Sequence, residues 1–215
     1  MRYKLAIFDL DGTILDTIRD LAIAMNEART RSGLPEQPVE KVMAMVGNGI
    51  RNLIRRSTAA EPFADREKLH SDFTEYYNGH CLENTYPYRG IPEMLMSLKA
   101  SGMKLAVLSN KPDIPSKKLV GERFPGLFDV VRGNVEDVPL KPSREGVDII
   151  LETLGISAED AVYIGDSEVD IMTAQNSGLA SISVDWGFKT RDFLLENDAK
   201  MIFSSPEDLE RYLLE

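Results

Sequence analysis

The chain has 215 residues, 43% of them hydrophobic, so it can bury a core as one large domain or two modest ones and is not expected to be disordered. Its formal net charge of −10 at pH 7 argues against nucleic acid or an anionic membrane surface as a partner, because both attract an excess of Lys and Arg. A single cysteine, Cys81, excludes an internal disulfide, and no apolar run resembles a signal peptide or approaches the roughly 20 residues of a membrane span, so we expect a cytoplasmic protein.

The first predicted element is a buried strand that runs straight into two acids. Leu5–Phe8 are all apolar, as expected of a strand covered on both faces of a parallel sheet. Asp9 and Asp11 follow, Gly12 permits a sharp turn, and Thr13 adds a hydroxyl beside the carboxylates. Two carboxylates this close repel each other unless a proton or a cation lies between them, and Mg²⁺ favours such ligands. The structural alternative is an acidic turn after a core strand.

The middle of the chain has a different pattern from its two ends. From about residue 16 to residue 84 the apolar residues recur at helical spacing, interrupted by a Gly-Asn-Gly sequence at Gly47–Gly49, and no strand is predicted. After Pro87 strands and helices alternate. The predicted strands are 103–108, 128–132, 161–164, 179–184 and 199–203.

This order of elements predicts an α/β fold with a Rossmann-like three-layer core, in which a parallel sheet lies between helices. Residues 1–15 and 85–215 would form the core, and residues 16–84 would form an inserted, all-helical cap domain. A cap that leaves the core directly after the acidic loop would cover that loop. Its connections near Asp16 and near Tyr86–Gly90 would then serve as hinges.

Polar residues follow several of the later predicted strands. Ser109 and Asn110 can donate hydrogen bonds to a phosphoryl oxygen, although in isolation an ordinary turn and helix cap is the favoured explanation. Lys141 either neutralises anionic charge or is a solvated surface lysine. Asp166 and Asp170, one helical turn apart, suit a metal ligand with a supporting carboxylate, or Asp170 only favours a helix N-terminus. Because the carboxyl ends of parallel strands meet at one edge of a sheet, the sequence predicts a single site there.

These residues also carry a resemblance to a known family. Asp9–Thr13 reads Asp-x-Asp-Gly-Thr, and Ser109, Lys141 and the Asp166/Asp170 pair follow in order. The series is similar to the four motifs of the haloacid dehalogenase superfamily, and the resemblance extends over essentially the whole chain. It implies a phosphatase that forms a covalent aspartyl-phosphate intermediate and uses Mg²⁺ as its cofactor.

The resemblance implies a role for each residue. Asp9 would attack the substrate phosphorus, and Asp11 would protonate the leaving oxygen and then activate water. Mg²⁺ would be held by Asp9, Asp166 and the main-chain carbonyl of Asp11. The residues expected to bind the phosphoryl group or to support the site are Ser109, Lys141, Asn110, Gly12, Thr13 and Asp170, the last of which would orient Lys141 or a water ligand of the metal.

The predicted cap carries a more specific resemblance. Val46–Gly49 resembles the cap loop of phosphoglycolate phosphatases, and Trp186–Phe188 is similar to their usual Trp-Gly-Tyr. Amides at Asn48 and Gly49, assisted by Arg51, would hold a substrate carboxylate. A plain turn between two helices is the alternative.

The predicted activity is hydrolysis of a small phosphate monoester, with 2-phosphoglycolate as the first candidate. Ser143 and Arg144 stand where relatives often have Asp-Pro, so another small ester, pyrophosphate, or a β-phosphoglucomutase-type phosphoryl transfer remain alternatives. A haloacid dehalogenase is disfavoured because it needs neither Mg²⁺ nor the acid at Asp11. A phospho-receiver domain lacks an inserted helical cap and has nearer half this length. The expected partner is a small phosphorylated metabolite, and the sequence does not distinguish a monomer from a homodimer.

Overall fold

A parallel six-stranded sheet is the framework of the fold. The computed structural model describes residues 2–215, and within them eight strands are present: β1 (Leu5–Phe8), β2 (Leu15–Asp16), β3 (Tyr86–Pro87), β4 (Lys104–Pro112), β5 (Val130–Asn134), β6 (Ala161–Gly165), β7 (Ala180–Val184) and β8 (Ile202–Phe203). All except β2 and β3 belong to one sheet, in the spatial order β5–β4–β1–β6–β7–β8. Every neighbouring pair in that sheet is parallel. The predicted α/β class is confirmed.

Ten helices accompany the strands in the described part of the chain. Those between β2 and β3 are α1 (Ile18–Arg31), α2 (Val39–Met43), α3 (Ile50–Ser57) and α4 (Arg66–His80). Those after β3 are α5 (Ile91–Ala100), α6 (Asp113–Arg123), α7 (Glu145–Leu154), α8 (Glu168–Ser177), α9 (Arg191–Glu196) and α10 (Pro206–Leu214). Across residues 2–215, none of these helices combines the length and the apolar character that a bilayer crossing requires.

Helices cover both faces of the sheet because side chains alternate along each strand. Ala6 and Phe8 pack in the cluster that includes α5 and α10, whereas Leu5 and Ile7 pack in the cluster that includes α7 and α8. All four side chains are fully buried. The uninterrupted apolar run of β1 therefore reflects a strand buried on both faces, and the three-layer, Rossmann-like core is confirmed.

The position of β1 places the polar motifs at one edge of the sheet. It is hydrogen-bonded to β4 on one side and to β6 on the other, and Phe8 lies level with Val107 and Ile164. The residues that follow these three positions therefore emerge side by side at the carboxyl ends of the strands. The amide of Asp9 extends the pairing by donating to the Ile164 carbonyl at 2.9 Å.

Helices α1 to α4 pack on one another. Helix α1 contacts α2 and α4, and α3 contacts α4. A buried arginine, Arg29, links the ends of these helices: it donates to the carbonyls of Pro35 at 2.7 Å and Ser57 at 2.6 Å, and it pairs with Glu61 at 3.1 Å. These bonds satisfy the guanidinium inside the helical layer, where an unpaired charge would be costly.

The two connections to this helical segment meet in a short antiparallel ribbon. Leu15 pairs with Pro87 and Asp16 with Tyr86. Beside the ribbon, the buried carboxylate of Asp20 accepts hydrogen bonds from both the main-chain and side-chain amides of Asn84 and from the Thr85 hydroxyl. The predicted hinge regions thus lie next to each other. The division into two domains stays a prediction.

Some predicted boundaries were wrong. Strand β4 was expected to end at residue 108, but it extends to Pro112, where pairing with β5 resumes opposite Asn134 after a shift in register. Ser109–Lys111 are therefore extended residues and not a turn. The strands predicted at 128–132 and 199–203 lie at Val130–Asn134 and Ile202–Phe203.

Candidate active site

The centre of the site is a buried lysine between two aspartates. The Lys141 ammonium lies 2.8 Å from Oδ1 of Asp9 and 2.8 Å from Oδ1 of Asp170, and it donates to the Tyr163 hydroxyl at 3.0 Å. These three contacts use all three of its N–H groups. Lys141 is only 5% exposed, so it is not a solvated surface lysine, and its predicted role toward the phosphoryl group stays a prediction.

Asn110 fixes the main chain of this lysine. Its Oδ1 accepts from the Lys141 amide at 2.7 Å, and its Nδ2 donates to the Lys141 carbonyl at 3.1 Å and to the Gly47 carbonyl at 3.2 Å. Both ends of the side-chain amide are thereby engaged with the protein. Asn110 thus connects Lys141 with the loop between α2 and α3 and also lines the cavity of the site, and its predicted substrate contact stays a prediction.

Asp170 was expected to orient Lys141, and it has that geometry. Its Oδ2 accepts from the amide of Ser167 at 3.1 Å and from the Ser167 hydroxyl at 2.6 Å, while its Oδ1 faces Lys141. Ser167 and Asp170 form the capping box of α8. The helix cap and the lysine contact are thus made by opposite oxygens of one carboxylate.

Asp166 is enclosed by glycine backbone. A Cβ at Gly12, whose φ of 86° is left-handed, would collide with the Asp166 carboxylate, and a Cβ at Gly187 would collide with both Asp166 and the Gly12 carbonyl. Asp166 accepts from the Thr13 hydroxyl at 3.2 Å and from the Phe188 amide at 2.7 Å. Gly12 and Thr13, predicted to bind the phosphoryl group, therefore shape and orient Asp166 in this structure.

The buried carboxylates repel one another, and this repulsion affects their pKa values. Burial raises the pKa of Asp9 to about 7, the nearby Lys141 partly counteracting it and Asp170 adding to it. Burial also raises the pKa of Asp166 well above its ordinary value, and the charges of Asp170 and Asp9 add to the effect. Burial lowers the pKa of Lys141, but the charges of Asp170 and Asp9 outweigh it, so that the net pKa is raised and the ammonium stays protonated.

These residues fit a hard divalent cation. Asp9, Asp166 and Asp170 are all buried, and each offers an oxygen within 4.8 Å of the others. Oxygen donors of this kind suit Mg²⁺, and a cation would relieve the repulsion that raises the carboxyl pKa values. The third carboxylate of this cluster belongs to Asp170. The expected third ligand was the main-chain carbonyl of Asp11, and that contribution stays a prediction.

A second buried lysine, Lys111, escaped the sequence analysis. Its ammonium lies 3.1 Å from Oδ1 of Asp11 and donates to the Tyr77 hydroxyl on α4 at 2.8 Å. Burial lowers its pKa, but the charge of Asp11 outweighs this and the net pKa is raised. The sequence offers no signal for it, because the alternation that places Ser109 and Lys111 on one side of a strand applies only to an extended segment, and a turn is predicted there.

A cavity lies between this edge of the sheet and the helices α1, α3 and α4. It holds about 630 Å³ of atom-free space, a volume that includes space open to solvent. Its polar lining comes from the strand ends, and its apolar wall comes from the helices. The lining includes Asp9, Asp11, Ser109, Lys111, Asp166, Gly49, Leu21, Ile50, Leu53, Phe73, Tyr77 and Lys189.

The predicted cap residues are only partly placed at this cavity. Gly49 lines it, but Asn48 does not. Arg51 does not line the cavity either: its side chain is 68% exposed and pairs with Glu67 at 2.6 Å, and its predicted substrate contact stays a prediction. Lys141 also does not line the cavity and instead contacts Asp9 from behind.

Comparison with known proteins agrees with this geometry. A model of the family described as haloacid dehalogenase-like hydrolase matches residues 6–184. The phosphoglycolate phosphatase of Aquifex aeolicus is 32% identical over 209 residues, which cover 93% of this chain and 95% of the relative. Phosphoglycolate phosphatase 1 of Pseudomonas aeruginosa is 29% identical over 216 residues, covering 96% of this chain and 78% of that one. The crystal structure of a candidate phosphoglycolate phosphatase from Lactobacillus delbrueckii subsp. bulgaricus has a TM-score of 0.93 and 36% identity, with 99% of both chains covered.

The fold, the acidic site and these matches define one class: the chain belongs to the haloacid dehalogenase-like hydrolase family. Within that family it is a phosphoric monoester hydrolase of the phosphoglycolate phosphatase-like type. The family and the enzyme class predicted from the sequence are both confirmed.

Proposed function

We propose that the protein hydrolyses 2-phosphoglycolate to glycolate and phosphate through an aspartyl-phosphate at Asp9. The observation that carries the proposal is the buried Asp9–Lys141–Asp170 cluster at the carboxyl ends of the strands, directly beside the cavity. The names of the relatives support the choice of substrate.

Asp9 is the proposed nucleophile. Lys141 contacts Oδ1, and Oδ2 makes no hydrogen bond within residues 2–215, so one oxygen is available for attack. A bond forms between a carboxylate oxygen of Asp9 and the phosphorus while the bond from phosphorus to the ester oxygen breaks. Lys141 and Asp170 hold the carboxylate in place, and Ser109 donates from its hydroxyl to a phosphoryl oxygen in the cavity.

Asp11 is the proposed acid and base. It gives its proton to the leaving ester oxygen, which departs as the hydroxyl of glycolate. It then takes a proton from the water that attacks phosphorus, so that phosphate leaves and Asp9 is regenerated. The Asp11 carboxylate lines the cavity, and the Lys111 ammonium lies 3.1 Å from it.

The metal site belongs to the same proposal. Asp9 and Asp166 would hold Mg²⁺ through their side chains, with the main-chain carbonyl of Asp11. Both oxygens of Asp170 are engaged with Lys141 and Ser167, so we assign it to positioning. When bound, the cation supplies positive charge that reduces the repulsion between the nucleophile and the phosphate.

Helices α1 to α4 are proposed to form the cap domain, residues 16–84. Their inner side chains close the cavity, and the β2–β3 ribbon carries both connections. Closure would exclude water from the acidic edge of the sheet, which strengthens every charge interaction there.

The test is release of inorganic phosphate from a panel that contains 2-phosphoglycolate, sugar phosphates, nucleotides and pyrophosphate, with Mg²⁺ or with EDTA. We expect Mg²⁺-dependent turnover that is fastest on 2-phosphoglycolate and absent in Asp9→Asn. Asp192→Asn, an exposed change on α9, is the matched control and should keep full activity. Preference for another ester would keep the mechanism and refute the substrate, whereas full turnover by Asp9→Asn would refute the nucleophile.

A further inference from the structure

The proposed reaction leaves one buried cation without a defined role. Lys111 lines the cavity and is only 6% exposed, yet nothing in phosphoryl transfer at Asp9 requires a second ammonium. We propose that Lys111 is the specificity-determining residue that binds a carboxylate carried by the leaving group of the phosphate ester. The inference rests on the proposed phosphatase function and deepens it.

Lys111 has a donor to spare. Its contacts with Asp11 and Tyr77 use two of the three N–H groups of the ammonium. Lys141, in contrast, uses all three on Asp9, Asp170 and Tyr163 and does not line the cavity. Of these two buried lysines, only Lys111 can donate to a ligand without giving up a protein contact.

The position of Lys111 matches the leaving-group end of such a substrate. Asp11, the proposed donor to the ester oxygen, lies 3.1 Å from the Lys111 ammonium. In phosphoglycolate the carboxylate carbon is two bonds from that ester oxygen, about 2.4 Å away by ordinary bond lengths. A substrate that presents its ester oxygen to Asp11 therefore brings its carboxylate to the neighbourhood of Lys111.

The rest of the cavity wall leaves few other partners for a carboxylate. Helices α1, α3 and α4 contribute Leu21, Ile50, Leu53 and Phe73, which are apolar. Arg51 points to solvent, and Lys189, the other lysine at the cavity, contacts the Ala44 carbonyl at 3.5 Å and lies at the surface. An anion in a largely apolar enclosure needs a paired charge, and Lys111 supplies one.

Tyr77 fixes the direction of the ammonium. Its hydroxyl accepts from Lys111 at 2.8 Å, and the ammonium lies 4.5 Å from the centre of its ring. Because Tyr77 belongs to α4, the cation is held in place by the helical segment that closes the cavity.

The experiment compares 2-phosphoglycolate with 2-hydroxyethyl phosphate, in which a hydroxymethyl group replaces the carboxylate. Lys111→Met keeps the length and the apolar stem of the side chain but removes the charge. We expect it to lose roughly 50-fold or more in kcat/KM on 2-phosphoglycolate, mainly through KM, and less than about fivefold on the neutral ester. Lys111→Arg should retain most of the preference. Lys117→Met, an exposed change on α6, is the matched control and should alter neither substrate.

The outcomes separate the competing explanations. An equal loss on both esters, mainly in kcat, would overturn the assignment and show that Lys111 only positions Asp11. Unchanged activity on both would overturn it as well. If Lys111→Met does not fold, the test is the ratio of kcat/KM on the two esters, measured in Lys111→Arg and in wild type. A wild-type ratio near one would refute carboxylate recognition. Wild type that hydrolyses neither ester would refute the proposed function itself, which is a different result.

Discussion

The raised pKa of Asp9 has a consequence for stability that can be measured without substrate. A carboxyl with a higher pKa in the folded than in the unfolded protein binds more protons when folded. Its protonation favours folding at low pH, and that contribution is lost as the pH rises through the interval from 3.8 to about 7. At about 1.4 kcal/mol per pKa unit, the ionised carboxylate costs the metal-free protein on the order of 4 kcal/mol above this interval.

The assay is thermal unfolding of wild type and Asp9→Asn in EDTA, at pH 5 and at pH 8. Asparagine cannot ionise, so the variant should have the higher Tm at pH 8. Since about 1 kcal/mol changes the Tm of a chain of this size by roughly 2–4 °C, we expect a difference of roughly 8–16 °C. At pH 5 the difference should shrink, because the wild-type carboxyl is then protonated. Adding Mg²⁺ at pH 8 should raise the Tm of wild type more than that of the variant.

The reasoning would be refuted if Asp9→Asn lowered the Tm at pH 8, or if its effect were the same at both pH values. Either result would mean that the Lys141 contact outweighs the burial of the charge. Asp192→Asn on the exposed face of α9 serves as the control, and its Tm should follow wild type at both pH values.

Three further predictions follow from contacts in the site. Asn110→Asp removes both donors to the carbonyls of Lys141 and Gly47, so kcat should fall by about 100-fold or more in steady-state assays, and a kcat near wild type would contradict the positioning role. Gly12→Ala places a Cβ against the Asp166 carboxylate at a left-handed φ, and we expect loss of Mg²⁺-dependent activity with a native circular dichroism spectrum; retained turnover would show that the loop can shift. Arg51→Ala breaks only an exposed ion pair, so kcat/KM on 2-phosphoglycolate should stay within about twofold, and a large rise in KM would restore the role that the sequence suggested.

The central features of the fold could be predicted because they depend on local pattern. All four residues of Leu5–Phe8 are apolar, which is typical of a strand buried on both faces, and the run leads directly to Asp9. The order of the later strands follows from the alternation of apolar runs and helices. The extension of β4 to Pro112 could not be predicted, because Ser109 and Asn110 are typical turn residues and only pairing with β5 keeps them extended.

Arg51 and Lys111 show why site residues were harder to predict than the fold. The buried positions of α3 are Leu53, Ile54 and Ser57, so Arg51 lies toward the solvent face, as the helical spacing of these residues predicts. Lysines usually lie at the surface, and the burial of Lys111 depends on α4, more than thirty residues earlier in the chain. Charge pairing across such a distance has no local signature.

The hydrogen bonds that Asp20 accepts from Asn84 and Thr85 attach the end of the helical segment to its beginning. Four hydrogen bonds join the returning chain to the first turn of α1, so Asn84 and Thr85 belong structurally to the helical segment. The connection between the helical segment and the sheet is thereby limited to the two paired residues on each side, Leu15–Asp16 and Tyr86–Pro87. A hinge at this ribbon would let the helical segment rotate relative to the sheet. Such a rotation would carry Tyr77 with α4 and so change its distance from Lys111, which belongs to β4.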